Sequence, residues 1–384
     1  MTAVLDQSSV RPQARFDPSL RRLCQLSRKT SPSGRSKVAS RQSVHAIALA
    51  FTLTLAIMIT HQGQAAGAAD PNLPTGLVYN NLYLKHETGP GHPERPERLT
   101  SIIERLKQDG LLPRLTLLTP VAASTQWVAT VHTTAYIEHV REDCRSANGY
   151  VDSPDSPASR DSYDVALTAV GGLLGAVDAV IEGRVKNAFC AIRPPGHHAL
   201  KNRAMGFCLF NNVAIAAKYI QQKHHLAKVL IVDWDVHHGN GTQAAFNDDP
   251  TVFYFSVHQS PFYPGTGSAA ERGEGKGLGS KLNVPLPAGS GDAEYLKVFE
   301  EKLKPAAAAF KPDFVLISAG FDASQNDLLG QMNLTPPGYA ALTRIVKGLA
   351  AQYCRGRLVS TLEGGYNLEA LAASVEAHVR VLME

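Results

Sequence analysis

Residues 228–241 form the segment KVLIVDWDVHHGNG, in which a short aliphatic run is followed at once by acidic residues and histidines. The run at 228–232 has the length and character of a strand that is buried in a parallel sheet. In open α/β sheets, ligands bind just beyond the carboxyl ends of such strands. The segment therefore predicts a buried strand that delivers Asp233, Asp235 and His237 to a functional site.

Three other predicted strands end in the same way. The strand at 188–192 is followed by RPPGHH (193–198), the one at 314–318 by AGFD (319–322), and the one at 358–362 by EGGYN (363–367). Because the carboxyl ends of parallel strands meet at one edge of a sheet, we expect polar residues from four strands to lie together.

Strand and helix patterns alternate along the chain from residue 76 onward. Two more strand candidates lie at 76–79 and 252–256, and apolar residues recur at helical spacing in 97–107, 163–181, 212–222, 293–309, 337–353 and 368–382. This alternation predicts an α/β fold with one mostly parallel sheet that helices cover on both faces. We expect a single catalytic domain over residues 76–384.

Composition and charge exclude several classes of protein. The chain has 384 residues, 44% of them hydrophobic and 19% charged, which is typical of a globular protein and excludes disorder throughout. Nine Lys and Arg residues but only two acidic ones lie in residues 1–68. Residues 69–384 are therefore slightly acidic, although the whole chain has a net charge of +4. Direct nucleic-acid binding by the folded part is therefore not expected.

The first 68 residues have the pattern of a targeting segment. A basic, Ser-rich leader at 1–43, which we expect to be disordered, precedes the uncharged run VHAIALAFTLTLAIMI at 44–59 and a series of small residues. This order is typical of a secretory signal peptide over 44–68, and it predicts a periplasmic or secreted protein without a membrane span after processing. The alternative is an untranslocated tail on a cytoplasmic or organellar protein.

The residues at the strand ends suit metal-dependent hydrolysis. Asp235 and His237 alternate in an extended segment, so their side chains lie on one side, and Asp322 can supply a third ligand. This mixed set of oxygen and nitrogen donors suits zinc with an open position, although Fe(II), Co(II) and Mn(II) also bind to such sets. A site of this kind polarises a carbonyl group and activates water, as amide hydrolysis requires.

Other residues at the same edge fit the remaining roles in hydrolysis. His197 and His198 can serve as base and acid. Asp233 and Asn240 are the natural orienting partners for them, because both flank the metal ligands. Tyr366 follows two glycines that let the backbone approach the site, and its hydroxyl can donate to an oxyanion.

Together these segments resemble the zinc-dependent histone deacetylases and their bacterial amidohydrolase relatives. The resemblance covers residues 79–381 and includes GHPERPERL at 91–99, GFC at 206–208 and YPGTG at 263–267. It implies the arginase/deacetylase fold, with an eight-stranded parallel sheet. Asn240 and the HPERPERL segment are similar to the class II branch of the family, since class I relatives have Asp at position 240.

The resemblance also implies a role for each residue at the site. It implies one zinc ion held by Asp235, His237 and Asp322, and catalytic roles for His197, His198 and Tyr366, with Asp233 paired to His197 and Asn240 paired to His198. Members of the family also bind potassium, and the matching positions here are Asp233, Asp235, His237, Ser256 and Val257.

The acyl-lysine tunnel of the family has counterparts in this sequence. The matching positions are Gly206, Phe207, Tyr263 and Leu329. Tyr263 replaces a common Phe and adds a hydroxyl at the tunnel mouth, whereas Leu329 stands where polyamine deacetylases carry a glutamate, which disfavours a polyamine substrate. Asp152 and Asp155 lie where family members place a rim carboxylate that holds the substrate backbone.

We therefore expect a zinc-dependent amidohydrolase that releases acetate from an acetyl-lysine peptide or a small acetylated amine. Two alternatives stay open. One is an acyl-lysine-binding module without turnover, which the intact Tyr366 disfavours. The other is a binuclear manganese ureohydrolase of the same fold, which would need a second set of bridging carboxylates. The number of metal ions per chain distinguishes the zinc amidohydrolase, which needs one zinc ion, from the ureohydrolase, which needs two manganese ions. Whether the protein forms homo-oligomers is left open.

Overall fold

A single parallel sheet organises residues 72–384, the part of the chain that the computed structural model describes. Its strands are β1 Thr75–Val78, β2 Thr116–Leu118, β3 Asn187–Cys190, β4 Val229–Asp233, β5 Val252–Gln259, β6 Lys281–Leu286, β7 Phe314–Ala319 and β8 Leu358–Leu362. They are arranged in the order β2-β1-β3-β8-β7-β4-β5-β6, and every neighbouring pair is parallel. The predicted α/β fold is confirmed. The leader at 1–43 and the apolar segment at 44–68 lie outside the described residues.

Helices connect the strands along the described part of the chain. They are α1 Glu97–Gln108, α2 Thr125–Val128, α3 Thr134–Ser146, α4 Ser162–Ile181, α5 Asn212–His224, α6 Asn240–Ala245, α7 Asp292–Val298, α8 Lys304–Phe310, α9 Pro336–Cys354 and α10 Leu368–Met383. The helix predicted at 293–309 is interrupted between α7 and α8 by a π-helical turn, Phe299–Leu303. The turn lies just before Pro305, which has no N–H for the regular helical ladder.

Burial explains which strands the sequence predicts. β1, β3, β4, β5, β7 and β8 are buried at every residue, which requires cover on both faces of the sheet. The two edge strands are partly exposed; β2 has three residues, and β6 includes Lys281, Asn283 and Pro285. The sequence pattern misses both, because edge strands lack a continuous apolar run.

The longest helix, α4, is also the one described helix that is long and apolar enough to cross a membrane. Most of its apolar window is buried inside the fold, and α4 packs against α5, β1 and β3. These contacts are those of a core helix, whose apolar residues cover a sheet.

The order of the strands determines where the site lies. β3, β8, β7 and β4 are consecutive in the sheet, and they are the four strands whose predicted ends carry polar residues. All four run in the same direction, so the segments that follow them meet at one edge.

Candidate metal centre and active site

Three side chains at the carboxyl edge of the sheet form a cluster suited to a metal ion. One donor atom each from Asp235, His237 and Asp322 lies within 4.8 Å of the other two. Nδ1 of His237 is 3.1 Å from Oδ1 of Asp235 and 3.2 Å from Oδ2 of Asp322. The cluster joins the segments that follow β4 and β7, which are hydrogen-bonded neighbours.

The burial of the two carboxylates favours a cation in this cluster. Asp235 and Asp322 are both fully buried, and apart from the His237 ring, Oδ2 of Asp322 has no polar partner among the described residues. Burial and the Asp235 carboxylate raise the pKa of Asp322. Because two adjacent buried carboxylates are costly without a compensating charge, and because one imidazole completes the set, the donors fit Zn²⁺ with an open position.

Two glycines allow the backbone to approach these carboxylates closely. A Cβ atom on Gly320 would lie 2.2 Å from Oδ2 of Asp235, and one on Gly364 would lie 2.0 Å from Oδ2 of Asp322. The N–H of Gly364 also donates to Oδ2 of Asp235 at 2.8 Å. A side chain at either position would therefore fill the space around the cluster.

The tandem histidines have the partners that the sequence predicts. Nδ1 of His197 lies 3.1 Å from Oδ2 of Asp233, and Nδ1 of His198 lies 2.8 Å from Oδ1 of Asn240. The two rings are 4.0 Å apart between centroids. Since the acceptors are a carboxylate and an amide oxygen, each Nδ1 carries a proton, which leaves Nε2 of each ring for other chemistry.

The two histidines differ in basicity because their neighbours differ in charge. Burial alone would lower the pKa of His197, but the carboxylates of Asp235 and Asp233 raise it to about 10. Burial lowers the pKa of His198 well below its usual range, and the positive charges of His197 and His237 add to this effect. The neighbouring carboxylates therefore make His197 the more basic ring of the pair.

Tyr366 lies in the loop after β8, at the same edge of the sheet as the tandem histidines. Its backbone N–H donates to Oδ2 of Asp327 at 2.7 Å, and the guanidinium of Arg98 lies over its ring at 5.0 Å. Burial raises the pKa of Tyr366, so its hydroxyl keeps its proton and can donate a hydrogen bond.

A cavity of about 350 Å³ opens above these groups. Its lining includes His198, His237 and Tyr366 together with the four predicted tunnel residues, Gly206, Phe207, Tyr263 and Leu329. Asp233, which is fully buried, lies behind this lining and accepts a hydrogen bond from the Tyr254 hydroxyl at 2.8 Å. The structure thus brings the predicted ligands, acid/base pair and tunnel residues to one place.

Sequence reasoning missed a buried ionic cluster that supports the Tyr366 loop. Arg98 donates to the carbonyl oxygens of Gly365 at 2.6 Å and Glu363 at 2.5 Å. Glu94 pairs with Arg98 at 3.1 Å and with Arg193 at 2.7 Å. The HPERPERL segment contains Glu94 and Arg98, so the motif was visible, but its partners in space were not.

Glu363, the first residue of EGGYN, is a second residue that sequence reasoning left without a role. Its fully buried carboxylate accepts the N–H groups of Gly196 and His197 at 2.7 and 3.2 Å, and the hydroxyl of Ser318 at 2.9 Å. Burial raises the pKa of Glu363 to about 7. Glu363 thereby links the ends of β3, β7 and β8 beneath the tandem histidines.

The predicted potassium positions lie at and just beyond the end of β4 and in the middle of the neighbouring strand β5. Asp233 and Ser256 are register partners in this pair of strands, and Val257 follows in β5. Oγ of Ser256 is 2.8 Å from Nδ1 of His258, and Oδ1 of Asp233 accepts the N–H of Asp235 at 3.1 Å. These contacts are all within the protein and do not test potassium binding, so the potassium site stays a prediction.

Known proteins share both this fold and this sequence. The family profile of the histone deacetylase domain matches residues 92–382. A probable deacetylase of Archaeoglobus fulgidus is 43% identical over 297 residues, covering 77% of this chain and 82% of the relative. Histone deacetylase 14, chloroplastic, of Arabidopsis thaliana is 42% identical over 323 residues, covering 80% and 76%. The crystal structure of the HDA15 HD domain superimposes with a TM-score of 0.78 at 40% identity, covering 81% of this chain and 90% of that one.

The fold and these similarities define a hydrolase that acts on amide bonds. More particularly, the chain belongs to the histone deacetylase family, and its sheet is that of the arginase/deacetylase fold.

Proposed function

We propose that this protein is a zinc-dependent deacetylase that releases acetate from an N-acetylated amine, either acetyl-lysine in a peptide or a small acetylated amine. The observation that carries the proposal is the cluster of Asp235, His237 and Asp322, of which His237 lines the cavity. It is the one group of three such donors found in residues 72–384, which supports one metal ion per chain.

These three residues would hold the zinc ion, while His197 and His198 would transfer protons and Tyr366 would donate a hydrogen bond. When bound, zinc supplies Lewis acidity toward a carbonyl oxygen and a water molecule. Nε2 of neutral His198 would take the proton of the attacking water, while His197, whose Nδ1 lies against Asp233, would donate a proton to the leaving amine. The Tyr366 hydroxyl donates to the oxyanion that develops on the former carbonyl oxygen.

Further expectations about the protein belong to the same proposal. Potassium would bind between β4 and β5 through Asp233 and the backbone carbonyl oxygens of Asp235 and His237, with Ser256 and Val257 completing the site, because a hard cation prefers oxygen ligands. If the segment at 44–68 directs export, a small acetylated amine or an extracellular acylated amine would be the substrate rather than a histone. Self-association is left open, and size measurements in solution would test it.

Acetate release from the zinc-loaded full chain tests the proposal. We expect turnover of an acetyl-lysine peptide or of an N-acetylated small amine, and a fall in kcat of about 10²- to 10³-fold in Tyr366→Phe, which loses an oxyanion donor. The exposed Tyr150 provides a matched control, Tyr150→Phe, with unchanged turnover. Binding of the acetylated peptide without any acetate release would instead indicate a binding module.

A further inference from the structure

The backbone of one tunnel wall is held by a single aspartate. Gly206 and Phe207 both have positive φ angles, of 56° and 67°, a conformation that is unfavourable for Phe. Oδ2 of Asp155 accepts the N–H of Gly206 at 2.7 Å, and the backbone oxygen of Asp155 accepts the N–H of Phe207 at 3.0 Å. Asp155 therefore stabilises the turn that presents the Phe207 ring to the cavity.

The same carboxylate oxygen also holds the opposite wall. The Tyr263 hydroxyl donates to Oδ2 of Asp155 at 2.9 Å. The Tyr263 ring lies edge-on to His198 at 5.2 Å between centroids, and the Phe207 ring lies edge-on to Tyr366 at 5.9 Å. Asp155 thus joins the two aromatic side chains that flank the catalytic groups.

Asp152, the other acidic residue of the rim, supports the same loop. Its Oδ2 accepts the N–H of Ala204 at 2.7 Å, and its Oδ1 lies 2.9 Å from Nε2 of His139. Both acidic side chains are therefore bonded to the protein's own loop, which includes Gly206 and Phe207. Oδ2 of each residue is thus engaged within the protein, unlike a rim carboxylate oxygen that is left for the substrate backbone.

We propose that Asp155 and the Tyr263 hydroxyl fix the separation of the two tunnel walls and so restrict the site to acetylated amines with a slim, unbranched stem. The inference rests on the proposed deacetylase function. A ring tied at its hydroxyl cannot swing outward to admit a branched or cyclic stem, whereas a phenylalanine at position 263 has no such tie. Asp155 is on this account a positioning residue, and Tyr263 a specificity-determining one.

The ratio of kcat/KM for N-acetylhexylamine to that for N-acetyl(cyclohexylmethyl)amine measures the restriction. With the full chain, we expect the linear substrate to be preferred, and the ratio to fall by roughly 5-fold in Tyr263→Phe, which loses one hydrogen bond. Asp155→Ala should lower the ratio at least as far. Asp155→Asn should preserve it, because an amide oxygen can accept the same N–H and O–H donors. Tyr79→Phe removes a hydroxyl bonded to Asn81, and since neither residue lines the cavity this variant serves as the control.

Hydrogen exchange at the Gly206 and Phe207 amides gives a readout that does not depend on turnover. We expect faster exchange in Asp155→Ala and protection like the wild type in Asp155→Asn. A substrate ratio that is unchanged in both Tyr263→Phe and Asp155→Ala overturns the proposal, as does unchanged exchange in Asp155→Ala. If the wild type hydrolyses neither amine nor an acetyl-lysine peptide, the proposed function fails, and the exchange result alone then decides whether Asp155 anchors the wall.

Discussion

Glu363 offers a test of how one side chain positions the tandem histidines, His197 and His198. In Glu363→Ala, the N–H groups of Gly196 and His197 lose their acceptor, so the ring of His197 should shift. Since misplacement by about 1 Å can cost ~10²-fold in rate, we expect kcat to fall by up to about 10²-fold while KM changes little. Steady-state kinetics with the acetyl-lysine peptide measure both constants.

The conservative variant Glu363→Gln separates positioning from a general loss of stability. Its amide oxygen can accept the same two N–H groups, and its NH₂ can donate to Ser318, so we expect most of the activity to return. Equal kcat in the alanine variant and the wild type would show that Glu363 does not position His197.

The site shows which residues a sequence can be expected to bring together. Asp235, His237 and Asp322 were predictable because each directly follows a buried strand, and parallel strand ends must meet. Arg98 was not, because its partner Gly365 is 267 residues away and is contacted through a backbone oxygen, which leaves no residue-type signal.

At the scale of elements, Glu94 holds the segment before α1 against the end of β3. Its carboxylate is fully buried between Arg98 and Arg193. Neutralising it in Glu94→Gln leaves two buried guanidinium groups without a countercharge, so we expect a loss of about 3 kcal/mol in the free energy of unfolding. Urea denaturation measures the loss; the exposed Glu97, changed to Gln, is the control, and equal effects of the two variants would contradict the account.

His132 connects the start of α3 with the start of α5 and should make stability depend on pH. Its Nδ1 donates to the Leu200 carbonyl at 2.9 Å, and its Nε2 accepts the N–H of Asn211 at 2.9 Å, so the folded state requires a neutral ring. Burial lowers the pKa of His132 to about 4. Its stabilising contribution is therefore complete above the unfolded-state pKa of about 6.5 and is lost as the pH falls toward 4.

Denaturation at two pH values measures this contribution. Between pH 7 and pH 5, His132 should account for a loss of about 2 kcal/mol in unfolding free energy, which the non-titrating His132→Gln should not show. An identical pH dependence in the variant and the wild type would contradict the assignment.

The sequence pattern predicted strands and helices correctly where successive residues are buried, and it missed elements in which buried and exposed residues are mixed. The strands that carry the site are buried at every residue, so their aliphatic runs were sufficient evidence. α3 was missed although Tyr136, Ile137, Val140 and Cys144 form its buried face, because charged residues occupy the positions between them and dilute the apolar pattern.

Across the whole molecule, the strand order is what assembles the candidate active site. The sequence indicated a parallel sheet, but the adjacency of β3, β8, β7 and β4 depends on crossovers that no local pattern specifies. The basic leader at 1–43, the signal-like segment at 44–68 and the expected export lie beyond the described residues and stay predictions.

The central claim is that Asp235, His237 and Asp322 hold the one metal ion on which acetate release depends. Metal content and acetate release should be measured on the same samples of the full chain: as purified, after chelation, after zinc is restored, and as Asp322→Asn. The account predicts about one zinc per chain, loss of release on chelation, recovery with zinc, and neither binding nor release in Asp322→Asn. Full release by the chelated chain or by Asp322→Asn, or two manganese ions per active chain, would contradict it.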